Sequence, residues 1–269
     1  MKPVSGSSII QPCALERYTH QIDPYIGCQH GSAYCYTLNL SRTALPSEVS
    51  LVQDFVGRLR NELSALAPQT IYMGMNTDPY QPIEETRRQT RQVLELLAEF
   101  SFSACILTKS DLVVRDIELL HNMTSASVGF SLAFQDEETR IKFEPNAPSN
   151  DRRIDALKKL KEVGIETYVL ICPVMPRITN VELLIDAVAY IADTIWIYPL
   201  RMKSRKDRNW QNVSSLLRKD FPALIDLYQQ VIFTKDHPFW VDSSRKLEDI
   251  KSKRGLNLRI ELCNNRSDN

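Results

Sequence analysis

The chain has no excess charge of either sign: Lys plus Arg and Asp plus Glu stand at 33 each. No global basic field therefore draws it toward nucleic acid or an anionic lipid surface. It lacks any apolar run near the ~20 residues that cross a bilayer, and residues 1–11 lack the apolar core of a secretory signal. The expectation is a cytoplasmic protein with no membrane association. A fixed-period repeat, a low-complexity tract and a Gly/Ser-rich linker are also missing, which excludes solenoids and linker-joined modules. What is present is ordinary globular material, 43% hydrophobic and 25% charged over 269 residues, enough for the core of one large α/β barrel. Six cysteines (Cys13, Cys28, Cys35, Cys105, Cys172, Cys263) in a reducing compartment do not form a disulfide framework. Metal ligation or burial is the better reading.

Short apolar runs alternate with amphipathic segments. Strands are expected at 19–23, 70–75, 103–108, 127–132, 166–171 and 194–198. Helical spacing marks Val52, Phe55, Val56, Leu59 and Leu63, and again Ile154, Leu157, Leu160 and Val163, with Gly164 as a stop. Thr179 and Glu182 form the Ser/Thr-x-x-Glu capping box of a further helix. Six strands alternating with helices predict an α/β fold with a parallel sheet curled into a partial or full barrel, functional residues sitting where strands end. From Arg201 the alternation stops. Helical segments at 210–218 and 222–233 and a short strand at 256–262 predict a C-terminal extension. The expected division is an N-terminal segment 1–15, a barrel 16–200 and an extension 201–269 packing on the barrel.

The stretch Asp23-Pro-Tyr-Ile-Gly-Cys28-Gln-His-Gly-Ser32-Ala-Tyr34-Cys35-Tyr36 follows the first strand, with Gly27 and Gly31 able to shape a tight loop. It resembles the cysteine signature of the radical S-adenosylmethionine (SAM) superfamily, in the branch of spore photoproduct lyase and its DNA-repair-photolyase-like relatives. Cys28 and Cys35 match the first and third cysteines of the Cys-x3-Cys-x2-Cys pattern, Tyr34 matches its aromatic position, and Ser32 stands at the second cysteine. Three further blocks, 76–84, 107–116 and 143–148, resemble the family in collinear order, so that the likeness spans about positions 8 to 235. It implies a partial (β/α)6 TIM-like barrel of the radical SAM type. It also implies a 4Fe-4S cluster held by three thiolates, with SAM on the open iron, and one-electron cleavage of SAM to a 5'-deoxyadenosyl radical. The implied metal ligands are Cys28, Ser32 and Cys35. The implied partners are an electron donor such as a flavodoxin or ferredoxin and a nucleic-acid lesion as substrate.

Each block falls at an expected strand end, where a barrel collects its ligand contacts. Thr77 and Asp78 stand where the superfamily binds the amino end of SAM, an anion suiting an ammonium; the other reading is an Asp-Pro turn. Lys109 and Ser110 suit the SAM carboxylate, against a solvated lysine. Ser131 reaches ribose hydroxyls or is a small packing residue. Glu144, before Pro145, serves the ribose or a structural arginine. Tyr34 approaches the adenine through its backbone. Met175 packs on that base or fills the core. Cys172 is the candidate hydrogen-atom relay and Cys105 a buried strand residue. His30 and His121 read as a surface-loop and a helix-end residue.

Ser32 complicates this. A serine oxygen is a poor match to the soft thiolate positions of an iron-sulfur cluster, so the cluster is expected to be weakened. Three accounts fit: a substitution in an active parent, ligation through oxygen or a substitute thiolate such as Cys13, and a non-catalytic scaffold that retains only the barrel. The run Lys203, Arg205, Lys206, Arg208 and Trp210 offers either a phosphate contact or a solvated helix face.

Overall fold

The computed structural model describes residues 8–40 and 48–263; the first seven residues of the expected N-terminal segment lie outside them. Eight strands form one sheet whose order follows the chain: β1 (Ile10–Pro12), β2 (His20–Ile22), β3 (Thr70–Met73), β4 (Ser103–Thr108), β5 (Ser127–Leu132), β6 (Glu166–Val174), β7 (Thr194–Pro199) and β8 (Leu258–Ile260). β1 pairs antiparallel with β2. Pairing is parallel from β2 to β5 and again from β6 to β8. The α/β class and the strand sequence of a radical-SAM-type partial barrel are therefore present.

The chain divides into two compact units along lines other than the expected three. One comprises the described residues up to Gly31, 48–130 and 146–167. Its core is the apolar interior of β3, β4 and β5 (Ile71, Met73, Ile106, Val128) and the helices Phe55–Ser64 and Gln89–Glu99, whose Leu59, Leu63, Val93, Leu94 and Leu97 are fully buried. β1 is stitched to the first of these helices: the Glu62 carboxylate accepts the Ile9 and Ile10 N–H groups at 3.0 and 2.8 Å.

This unit also buries two carboxylates against two part-exposed guanidiniums. Glu84 and Asp116 are completely inaccessible. Glu84 accepts from Arg115 Nη2 at 2.6 Å, the Thr90 N–H at 2.9 Å and the Tyr25 hydroxyl. Asp116 accepts from Arg91 Nη1 at 2.7 Å, Arg115 Nη2 at 2.7 Å and the Tyr80 hydroxyl at 3.0 Å. Two carboxylates thus meet two guanidiniums with their lone pairs used, the condition under which burying charge is tolerable. Burial pushes the phenols of Tyr25 and Tyr80 far up, and each carboxylate partner adds to this, so both remain protonated donors.

The other unit comprises 32–40, 131–145 and the described residues from Tyr168 onward. Its core gathers Phe134, Phe143, Met175, Trp210, Val213, Leu217 and Tyr228. Phe134 stacks on Phe143 at 5.1 Å, and Phe233 meets Trp210 edge-on at 4.9 Å. Much of this core comes from the helices Arg208–Asp220 and Ile225–Phe233, and β8 lies beside β7. The expected C-terminal extension thus supplies the interior of its unit. The helix Val181–Val188 is capped by Asn180, whose Oδ1 accepts the Leu183 N–H at 3.2 Å. This corrects the expected Thr179 capping box: the Thr179 hydroxyl instead donates to the Ala133 carbonyl and accepts from the Met175 N–H, each at 2.9 Å.

Candidate functional site

The cysteine loop leaves β2 through Asp23, whose carboxylate accepts from the Asn76 N–H at 3.0 Å and side chain at 2.6 Å. Ile26 and Ser50 exchange backbone hydrogen bonds at 2.8 and 3.1 Å. Gly27 has φ +88°, and a Cβ there would lie 2.2 Å from the Glu48 carbonyl oxygen, so only glycine fits. Thr77 Oγ1 donates to the Tyr25 carbonyl at 3.3 Å, fastening the 76–84 block to the loop. Cys28 is half-buried, whereas His30 is 2% exposed, against the expected surface position.

His30 belongs to a polar knot around Asp78. Asp78 Oδ1 accepts from Thr108 Oγ1 at 2.6 Å and the Tyr80 N–H at 2.8 Å, and Oδ2 accepts from the Lys109 N–H at 2.7 Å and lies 3.2 Å from His30 Nε2. Burial works to raise the Asp78 pKa, but the His30 charge and these hydrogen bonds outweigh it and hold the carboxyl below its ordinary range. An anion is thereby fixed at the ends of β3 and β4. Ser110 is buried, and its Oγ accepts the Leu112 N–H at 3.3 Å to cap the turn that follows β4.

In the second unit, Ser32 is buried, and its carbonyl accepts the Cys35 N–H at 3.2 Å. Cys35 Sγ lies 3.0 Å from Thr37 Oγ1. The Tyr34 hydroxyl donates to Glu144, which is completely buried, and the Glu144 carbonyl accepts from Arg140 Nη1 at 2.9 Å. Ser131 Oγ donates to the Cys172 carbonyl at 3.4 Å. Cys172 lies within β6 and is half-buried. Asn209, which sequence reasoning passed over, is 1% exposed; its Nδ2 donates to the Tyr34 carbonyl at 3.4 Å and its Oδ1 accepts from Asn39 at 3.0 Å. Met175 is fully enclosed in the core, and Cys105 is buried in β4. His121 ends its helix, with Nδ1 2.9 Å from the Val163 carbonyl. Trp210 is likewise core, and Arg205 stacks on Phe233 at 4.4 Å, so the basic-aromatic run offers no exposed tryptophan.

For an iron-sulfur cluster the donor set decides the fit. Half-buried thiols at 28 and 35 on a glycine-shaped loop suit it, and position 32 offers oxygen in place of the third thiolate. Among the described residues no group of three or more His, Cys, Asp or Glu side chains forms a metal site. Burial pushes the Cys13 thiol up and, although the Leu15 N–H works the other way, Cys105 and Asp23 push it further. No helix among the described residues is long and apolar enough to cross a membrane.

A parallel α/β sheet with this loop after its first parallel strand defines a class of SAM-dependent proteins, and the family model of the radical SAM superfamily matches residues 22–187. The chain belongs to that superfamily. It is 30% identical over 257 residues to an uncharacterised protein of Methanocaldococcus jannaschii, covering 93% of this chain and 95% of that one. Among solved structures it is similar to a cysteine-to-alanine mutant of spore photoproduct lyase with dinucleoside spore photoproduct. The TM-score is 0.63 at 14% identity, with 96% of this chain and 80% of that one covered. A second mutant of that lyase, with bound AdoMet and dinucleoside spore photoproduct, gives 0.58 at 16% identity, covering 78% and 64%.

Proposed function

We propose that this chain is a radical SAM enzyme of the spore-photoproduct-lyase-like kind, with Cys28 and Cys35 as thiolate ligands of a 4Fe-4S cluster, Ser32 as a weaker third ligand, and a nucleic-acid lesion as substrate. The observation that carries the reading is the loop itself: two thiols of the superfamily pattern on a backbone whose Gly27 admits no side chain, in a chain that belongs to the family. When bound, the cluster supplies one electron for cleavage of the SAM carbon–sulfur bond.

The chain's own residues prepare the cofactor's place. Asp78, kept ionised by its donors and the neighbouring His30, attracts the SAM ammonium, with Thr77 beside it on the same block. Lys109, its N–H held by Asp78, and Ser110 present a cation and a hydroxyl toward the SAM carboxylate. Tyr34 is braced by Glu144 and Asn209 and offers backbone groups to the adenine, while Ser131 and Glu144 serve the ribose. Cys172 relays a hydrogen atom to or from the substrate. An electron carrier of the flavodoxin or ferredoxin type supplies the reducing equivalent. The lesion substrate is supported by the dinucleoside photoproduct bound to the structurally similar lyase and by the cations Lys203, Arg205 and Lys206.

Anaerobic reconstitution of the chain and of Ser32→Cys tests the reading. Ser32→Cys is expected to show stable 4Fe-4S absorbance and to form 5'-deoxyadenosine from SAM with a reductant, and the present chain a weaker or three-iron signal. Equal, full cluster occupancy and stability in both would refute the ligand role of position 32. No SAM cleavage in either favours the scaffold reading. DNA binding that is flat and weak across a salt series would remove the nucleic-acid substrate.

A further inference from the structure

Among the side chains that sequence reasoning left without a role, Gln81 is completely buried and touches the loop at its most consequential point. Its Nε2 donates to the Gly27 carbonyl at 3.0 Å, and its Oε1 accepts the Gln29 N–H at 2.9 Å. One amide thus spans the two peptide groups on either side of Cys28. The Gly27 carbonyl lies in the peptide plane that precedes the Cys28 Cα, and the Gln29 N–H in the plane that follows it. Because each peptide is rigid and only φ and ψ are soft, fixing both planes fixes the direction of the Cys28 Cα–Cβ bond.

The amide is itself located. The Gln81 N–H donates to the Asp78 carbonyl at 3.3 Å, and Gln29 returns the contact by accepting the Ile83 N–H at 2.7 Å through its Oε1. Among neutral side chains of this length only glutamine carries a donor and an acceptor on one planar group, which is what a carbonyl and an N–H on successive peptides require. On the opposite strand of the loop the Ile26–Ser50 backbone pair and the Glu48 carbonyl close against Gly27, so the loop cannot follow a displaced amide outward.

We propose that Gln81 is the positioning residue for Cys28: it sets the direction in which this thiolate is presented to the cluster, beyond any share it has in general stability. The inference rests on the reading of Cys28 as a cluster ligand. Its natural control is Gln89, another buried glutamine, whose Nε2 donates to the Pro24 carbonyl four residues before Cys28 and touches neither peptide beside it.

The test compares Gln81→Met, Gln81→Glu and Gln89→Met in the full chain. Three readouts apply: the alkylation rates of Cys28 and Cys35 in the apoprotein, followed by peptide mass spectrometry; iron retained after anaerobic reconstitution of the same substitutions on Ser32→Cys; and urea unfolding. Gln81→Met is expected to change the Cys28 rate by about fivefold or more, the factor one lost hydrogen bond is worth, leaving Cys35 unchanged. Gln81→Glu keeps the acceptor, sets an oxygen against the Gly27 carbonyl and, should the methionine variant fail to fold, carries the test with a selective change at Cys28. Gln89→Met is expected to lower the unfolding midpoint without a selective change at Cys28. Equal changes at Cys28 and Cys35, no change at either, or the same pattern from Gln89→Met would overturn the proposal and leave Gln81 a packing residue. A Cys28→Ala variant on Ser32→Cys separates the two claims: if it retains as much iron as its parent, the ligand reading fails, while the alkylation result still decides whether Gln81 orients the thiol.

Discussion

Asp78→Asn puts a number on the polar knot at the ends of β3 and β4. The carboxylate is largely buried, its side chain 8% exposed, and accepts from Thr108 and Tyr80 on one oxygen and from Lys109 on the other, which lies 3.2 Å from His30 Nε2. Asparagine replaces one oxygen with an NH2 group. Turned either way, that group faces at least one backbone N–H, of Tyr80 or of Lys109, which loses its acceptor where water cannot replace it. An orphaned buried donor costs ~1–3 kcal/mol, and the remaining bonds lose their charge assistance, so a loss of about 3 kcal/mol is expected. At ~2–4 °C per kcal/mol, Tm should fall by about 6–12 °C. The pH dependence supplies the sharper check. The folded Asp78 carboxyl lies below its unfolded value, so its stabilisation is complete above about pH 3.9 and is lost as the pH falls through the folded value. Parent and variant should therefore differ at neutral pH and converge in acid. A gap that persists unchanged to the lowest pH at which both fold, or no loss at neutral pH, would refute the reasoning.

Other substitutions probe separate parts. Lys109→Ala on the Ser32→Cys background should weaken SAM binding by ~1–3 kcal/mol in calorimetry while leaving Tm within error; unchanged affinity would return the lysine to a solvated role. Gly27→Ala, forced to φ +88° with its Cβ against the Glu48 carbonyl, should cost at least ~1 kcal/mol in urea unfolding, and full stability would mean that the loop can rearrange. Trp210→Ala should destabilise the protein by ~3–5 kcal/mol, since this side chain is 4% exposed and meets Phe233 edge-on; a loss near zero would show the C-terminal helices to be an appendage after all.

The elements with strong apolar runs were legible in the sequence: β4 and β5 match the expected residues end for end, because five of the six side chains in β4 and all six in β5 are buried and leave no ambiguity of period. β1 was not legible. It is three residues long, contains Pro12, and owes its place to the Glu62 carboxylate more than 50 positions away. The helix Pro238–Arg254 was also missed, since over 17 residues it buries only Trp240 and Leu247 and shows no apolar stripe. Asn180 rather than Thr179 caps its helix because the threonine hydroxyl is engaged by Met175 and Ala133, a competition that only tertiary structure reveals. At the site, the residue types that speak in a sequence are cysteines, charged groups and motif neighbours. Gln81, Asn209 and the burial of His30 were silent, because their roles lie in contacts with distant backbone groups.

The two buried carboxylates Glu84 and Asp116, with the part-exposed guanidiniums of Arg91 and Arg115, have an evolutionary consequence. Their charges sum to zero, and each carboxylate is held by more than one donor. Removing an arginine leaves a buried carboxylate short of its cation where water reaches it poorly, at ~3–5 kcal/mol, whereas replacing the whole set by well-packed apolar groups can be nearly neutral. A lineage drifting one substitution at a time thus meets a fitness valley on the paths that begin by losing an arginine, and that crossing requires coordinated changes. The quartet should be inherited as a block, and a descendant that has lost one partner should show its compensating change at another of the same four positions.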